Sequence, residues 1–187
     1  MTLAGIVLAG GRGRRLGGAG KAAIQVGGDA LVDRAVAALR EAGCDPVLVV
    51  ARPGVAIPTV DVPVVADAPG PAGPVNAIRT GMAHVDTDDV IVLACDLPFA
   101  APVTARLARR PAGSAVLGVD PDGRPQPLCA RYPRRPALAA ARAAVAAGDA
   151  RVIDWARRIG EWHREEATAR ELLNVNTAED LARARTP

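Results

Sequence analysis

Short runs of Val, Ile, Leu and Ala alternate along this chain with longer stretches whose apolar residues recur every three or four positions. The short runs at residues 5–9, 46–50, 64–65 and 90–94 predict strands, and the periodic stretches at 30–42 and 75–83 predict helices. In the first helix Leu31, Ala35, Ala38, Leu39 and Ala42 share one face, Asp29 stands where an N-cap belongs, and Gly43 ends the run. Strand and helix in alternation predict a mostly parallel sheet with helices packed on both faces. Beyond Asp96 the pattern loosens. A helix is expected at 103–110, then strands at 115–119 and 128–132 joined by the turn Pro121-Asp122-Gly123, a small inserted hairpin. Alanine-rich helices follow at 137–147 and 152–159, then a strand at 172–175. Thr177-Ala178-Glu179-Asp180 has the form of a capping box and opens a last helix.

Composition narrows the picture. With 187 residues and half of them hydrophobic, the chain can bury a sizeable core and is expected to form one domain, 1–187. Aromatic residues make up only 2 %, too few for a platform that stacks single-stranded bases, so nucleic acid is not an expected partner. The net charge of +3 is modest. The pairs Arg109-Arg110, Arg134-Arg135 and Arg157-Arg158 are spread along the chain and read mostly as solvated surface. Cys44, Cys95 and Cys129 are odd in number and far apart, which suggests neither a disulfide framework nor a zinc site and fits a reducing compartment. The apolar start is too short to span a bilayer, so a soluble, cytoplasmic protein without membrane attachment is expected.

In open α/β sheets ligands bind beyond the carboxyl ends of the strands, and four such places carry suggestive residues. The first is the loop 10–21, where glycines let backbone N–H groups approach phosphate oxygens and Arg12, Arg14, Arg15 and Lys21 add positive charge. Two familiar phosphate motifs fail here. A P-loop ending at Gly20-Lys21 would need Gly at 15 and Ser or Thr at 22, where Arg15 and Ala22 stand. A dinucleotide fingerprint from Gly11 would need Gly at 16 and an acid ending the second strand, where Leu16, Ala51 and Arg52 stand. The second place is Ala94-Cys95-Asp96-Leu97-Pro98, whose strand-end carboxylate is the candidate ligand for a nucleotide-bound Mg²⁺. The third is the Gly/Pro-rich turn from Asp67 to Pro74, with Pro74 suited to a first helical turn. The fourth is Asn174-Val175-Asn176-Thr177, where strand alternation would put both amides on one face. His84 and His163 lack catalytic neighbours and read as surface or structural. Residues 126–130 could line an acceptor pocket, with Cys129 packing as a small hydrophobe.

Taken together these segments resemble the molybdenum cofactor guanylyltransferase family, within the nucleotidyltransferases that use a LAGG-type loop. The likeness runs through Leu8-Ala9-Gly10-Gly11, Arg15-Leu16-Gly17 and Lys21, then Asp67 with Gly70-Pro71 and Gly73. It continues through Cys95-Asp96-Leu97-Pro98, residues 126–132, residues 148–151 and Asn174-Val175-Asn176-Thr177. The family often has Asp before its loop lysine, where this chain has Gly20, and can have Asn ending its second strand, where Val50 stands. The resemblance implies a Rossmann-like three-layer α/β sandwich and transfer of GMP from GTP to the terminal phosphate of molybdopterin, with release of pyrophosphate. It implies nucleotide contacts from Leu8, Ala9, Gly10, Gly11, Lys21, Asp67 and Asp96, with Asp96 also the Mg²⁺ ligand, and acceptor contacts from Gly73, Asn174 and Asn176. Arg15, Lys21 and Asp96 would carry catalysis. A monomer or weak homo-oligomer in transient contact with other cofactor-biosynthesis or acceptor proteins is expected. Transfer of CMP to the same cofactor, guanylyl transfer to another phosphorylated acceptor, and an inactive nucleotide-binding module remain the alternatives.

Overall fold

The first apolar run forms β1 (Leu3–Leu8), near the middle of a seven-stranded sheet, in a computed structural model that describes residues 2–11, 20–149 and 151–186. The strands that share its direction are β4 (Val47–Ala51), β5 (Val64–Ala66) and β6 (Asp89–Ala94), paired through β1 and β4 in the order β5-β4-β1-β6. Because β1, β4 and β6 are covered on both faces, they read as unbroken apolar runs instead of alternating ones, whereas β5 is an exposed edge. The sheet continues with β8 (Pro125–Pro133), β7 (Ala115–Val119) and β9 (Trp162–Glu166). β8 runs antiparallel to both β6 and β7, so the expected hairpin exists as two full members of the main sheet, and β7 pairs in parallel with β9. A two-stranded ribbon, β2 (Gln25–Val26) and β3 (Asp29–Ala30), lies outside it.

Two helical layers cover the sheet. α1 (Leu31–Glu41) and α3 (Ala101–Arg109) bury Val32, Ala35, Leu39, Val103 and Leu107 against one face. α2 (Pro74–Ala83), α4 (Arg134–Ala146) and α5 (Val152–Arg158) bury Val75, Ile78, Met82, Ala141 and Trp155 against the other. α6 (Ala178–Arg185) closes a smaller cluster around Val26, Leu31 and Val175. The three-layer α/β architecture is therefore the expected one. No helix among the described residues is long and apolar enough to cross a membrane.

Several local expectations are corrected. Asp29 does not cap α1; Ala30 holds the N-cap position without a side-chain bond, because Asp29 is taken into β3, where its carboxylate accepts from Arg34. Gly43 does end that helix. Its N–H bonds Arg40 O while Cys44 N–H bonds Leu39 O, the paired bonds of a Schellman motif. Residues 172–175 are not a strand: they lie in turn and irregular backbone, with Val175 N–H donating to Asp96 O. β9 is not expected from the sequence, since its Trp-His-Arg-Glu-Glu run, largely polar and exposed, lacks the apolar signature of a sheet interior. The arginine pairs are not simply solvated. Arg110 bonds Glu165, and Arg134 bonds the Thr87 carbonyl and Asp86. All three cysteines are buried free thiols.

Candidate functional site

Sheet register places the site. Leu8 pairs with Val50 and with Ala94, and Val50 pairs with Val65, so these four residues form one row across β5-β4-β1-β6. Two positions beyond that row stand Asp67, Arg52, Gly10 and Asp96. Each sits just past the carboxyl end of its strand, where open α/β sheets bind ligands. They share a cleft of about 470 Å³ with Lys21, Gly73, Asn174 and Asn176. The reversed strand β8 brings its amino-terminal half to the same end of the sheet, so Gln126, Pro127 and Leu128 form the far wall while Cys129 is buried behind them.

Lys21 opens a one-turn 3-10 helix (Lys21–Ala23), and its N–H bonds Gly11 O at 3.2 Å, joining the two ends of the loop. Its ammonium donates to Asp96 Oδ2 at 2.8 Å and to Asn176 Oδ1. The two side chains of the ion pair are 16 % and 18 % exposed, which keeps the pair reachable from the cleft yet weakly screened. Asp96 Oδ1 is buried and has no hydrogen-bond partner among the described residues. That orphaned carboxylate oxygen, at a cleft mouth beside a cation, fits a hard divalent cation, which prefers oxygen ligands and commonly takes one or two carboxylates plus phosphate oxygens. No group of three or more His, Cys, Asp or Glu side chains gathers among the described residues. A metal here would therefore depend on phosphate and water oxygens for the rest of its shell.

Asp67 is fixed from behind. Its N–H donates to Ala51 O at 2.7 Å, and its Oδ1 accepts from Asn76 Nδ2 at 2.9 Å and from the Thr80 hydroxyl at 3.0 Å. Arg79 in turn donates to Asn76 Oδ1 through Nε and Nη2, which sets the amide so that its NH₂ faces Asp67. Asn76 and Thr80 are buried polar residues four apart on α2. They were missed in the sequence, although two polar residues on the buried stripe of a helix are a readable signal, since buried polar groups need partners.

The carboxyl-terminal segment is held by a capping box. Asp180 Oδ2 accepts from the backbone N–H groups of Asn176 and Thr177 and from the Thr177 hydroxyl, while Thr177 Oγ1 accepts from Asp180 N–H. These bonds, that from Asn176 foremost, hold the Asp180 carboxyl below its ordinary value of 3.8. Asn176 is thus anchored at its backbone and presents its amide to Lys21. Next to Asp96, burial pushes the Cys95 thiol up to about 12, helped by the Asp96 charge and opposed by Lys21. It is no nucleophile.

Of the expected site residues, Leu8, Gly10, Gly11, Lys21, Asp67, Gly73, Asp96, Asn174 and Asn176 line the one cleft. Ala9 does not; it is fully buried in the core, and its N–H bonds Val50 O. Arg15 lies outside the described residues. Arg52 and Val152 line the cleft unexpectedly. His84, bonded to the Thr80 carbonyl on the helix surface, and His163 on β9 are not among the cleft residues.

Comparison with known proteins shows the family. A family model described as a MobA-like NTP transferase domain matches residues 5–165. The chain is 36 % identical to a Chloroflexus aggregans protein named "Probable molybdenum cofactor guanylyltransferase", covering 97 % of this chain and 92 % of that one. It is 34 % identical to the molybdenum cofactor guanylyltransferase of Cereibacter sphaeroides, covering 98 % and 96 %. Among solved structures it is similar in fold to molybdopterin-guanine dinucleotide biosynthesis protein A from Archaeoglobus fulgidus, with a TM-score of 0.74, 22 % identity and coverage of 99 % and 97 %.

Proposed function

The chain belongs to the MobA-like NTP transferase domain family, and on that premise we propose that it transfers GMP from GTP to the terminal phosphate of molybdopterin, releasing pyrophosphate. The observation that supports this most directly is the convergence of Lys21, Asp96 and Asn176 at the strand ends of one cleft. The nucleotide enters over Gly10 and Gly11, whose missing side chains let phosphate oxygens reach the backbone. An acceptor phosphate oxygen attacks the α-phosphorus of GTP in line, a new P–O–P bond forms, and the bond to pyrophosphate breaks. Such a transfer is governed by positioning and charge compensation and needs no covalent enzyme intermediate. That accords with the inert Cys95.

Lys21 neutralises the triphosphate and the leaving pyrophosphate, together with Arg15. Asn176 steers the Lys21 ammonium, and the Asp180 cap holds Asn176. Asp96 is the protein ligand for a divalent cation, Mg²⁺ in our reading, which when bound lowers the cost of charge on the phosphate oxygens. Asp67, locked by Asn76 and Thr80, contacts the nucleoside. Asn174, Asn176 and Gly73 serve the acceptor, with Gln126, Pro127 and Leu128 shaping its side of the cleft. The protein acts in the cytoplasm on small-molecule substrates.

The test is pyrophosphate release from GTP and Mg²⁺ in the presence of molybdopterin. Asp96→Ala is expected to lower turnover by at least about a hundredfold and Lys21→Ala by a similar factor, the scale of removing one electrostatic stabiliser. Near-normal release from either variant overturns its assignment. Use of CTP in place of GTP by the unaltered enzyme overturns the guanylyl reading.

A further inference from the structure

Arg52 is a cleft residue to which the sequence assigned no task. It stands one residue past β4, and its aliphatic stem lies over Gly10, where an added Cβ would come within 3.2 Å of Arg52 Cγ. Among the described residues its guanidinium enters no ion pair and no side-chain hydrogen bond. The neighbouring carboxylate, Asp67, is engaged by Asn76 and Thr80 of α2 and does not neutralise it. A half-buried arginine that lines a ligand cleft and has no anionic partner among the described residues is a donor fork awaiting acceptors.

Its place across the sheet says which acceptors. Along the tier Asp67, Arg52, Gly10, Asp96, the phosphate-side groups Lys21 and Asp96 belong to the β6 end. Arg52 belongs to β4, two strands away, and at the usual strand spacing that is a separation of roughly 10 Å. A nucleotide whose phosphates meet Lys21 and Asp96, and whose sugar crosses the bare backbone of Gly10, therefore presents its base at β4. We infer that Arg52 reads guanine, donating two parallel N–H bonds to O6 and N7, and so sets the base preference of the cleft. This rests on the guanylyl transfer proposed above and deepens it. The fork matches guanine, which carries two adjacent acceptors on that edge. Adenine turns an amino donor toward the guanidinium, and pyrimidines have no N7.

Calorimetric titration of the Mg²⁺-supplemented protein with GTP, 7-deaza-GTP, ATP, CTP and tripolyphosphate tests it. The unaltered protein should bind 7-deaza-GTP about tenfold more weakly than GTP, the scale of a bidentate arginine contact. Arg52→Ala should bring GTP and 7-deaza-GTP to within about twofold of each other, collapse the preference over ATP, and leave tripolyphosphate unchanged. Arg52→Lys, with one compact donor group, should restore little of the preference. A 7-deaza penalty that survives in R52A overturns the inference while leaving guanylyl transfer intact. So does a uniform loss of affinity for every nucleotide and for tripolyphosphate, which would make Arg52 a phosphate contact. Binding of CTP and not GTP by the unaltered protein overturns both readings.

Discussion

Gly20 shows how a single backbone position can decide the geometry of a site. Its φ of 82° and ψ of 131° lie where a Cβ is strained, and a Cβ there would also meet Ala56 O at 3.3 Å. The family resemblance makes aspartate an obvious alternative before the loop lysine, yet in this chain the position is tuned to glycine. Gly20→Asp is expected to cost about 1–3 kcal/mol of stability, the usual size of such strain. It should also raise KM for GTP, because Lys21 follows immediately. A lowered denaturation midpoint together with a raised KM checks this, and an unchanged midpoint refutes the strain. Val50, the other departure, is buried where it lines the cleft, and a Cβ on Gly81 would approach its Cγ2 to 3.1 Å, so its side chain also packs closely against α2.

At the scale of elements, the cap of α6 has the clearest measurable effect. The Asp180 carboxyl is held below its ordinary value in the folded protein, so its contribution is present above pH 3.8 and disappears as the pH falls through the depressed value. Asp180→Ala should cost about 1 kcal/mol near neutral pH, the typical worth of a helix cap. Urea unfolding at pH 7 should show that gap, and it should close as the pH falls through the depressed value; a gap independent of pH would rule out the carboxylate as its source. The capping box was legible because Thr177 and Asp180 are three apart, and β1, β4 and β6 were legible because burial on both faces makes them continuously apolar. β9 was not. An edge strand needs only one partner, and its pairing with β7 is decided by the sheet, not by its own polar residues. The asparagines at 174 and 176 were assigned to the cleft through an expected strand that does not form. They reach it because the Val175 N–H is pinned to Asp96 O.

For the molecule as a whole, the buried pair Arg131–Asp89 joins the sheet to the helix that covers it. Arg131 on β8 donates to Asp89 on β6 at 2.7 Å and to the carbonyls of Ala108 and Arg110 at the end of α3, with the paired side chains 6 % and 2 % exposed. The sequence gives no warning of this, since an arginine between Ala130 and Tyr132 looks like the polar side of an alternating strand. Asp89→Ala should destabilise by about 3–5 kcal/mol, as stranding one member of a buried pair does, whereas Asp89→Leu with Arg131→Met should recover most of the loss. Guanidinium midpoints of the single and double variants measure both. A single variant that unfolds at the midpoint of the unaltered protein would show the pair to be dispensable.

The reversal of β8 also bears on how such a protein can change its chemistry over time. Because β8 runs against β6, the wall at 126–128 leads directly into the short connection at 120–124, a surface turn closed by Asp120 and Gly123. The tier from Asp67 to Asp96 is instead anchored in four mutually parallel strands of the main sheet. Insertions in that turn can reshape this wall of the cleft without shifting the register of the other half. The two sides of the cleft can thus diverge separately among descendants of one ancestral scaffold.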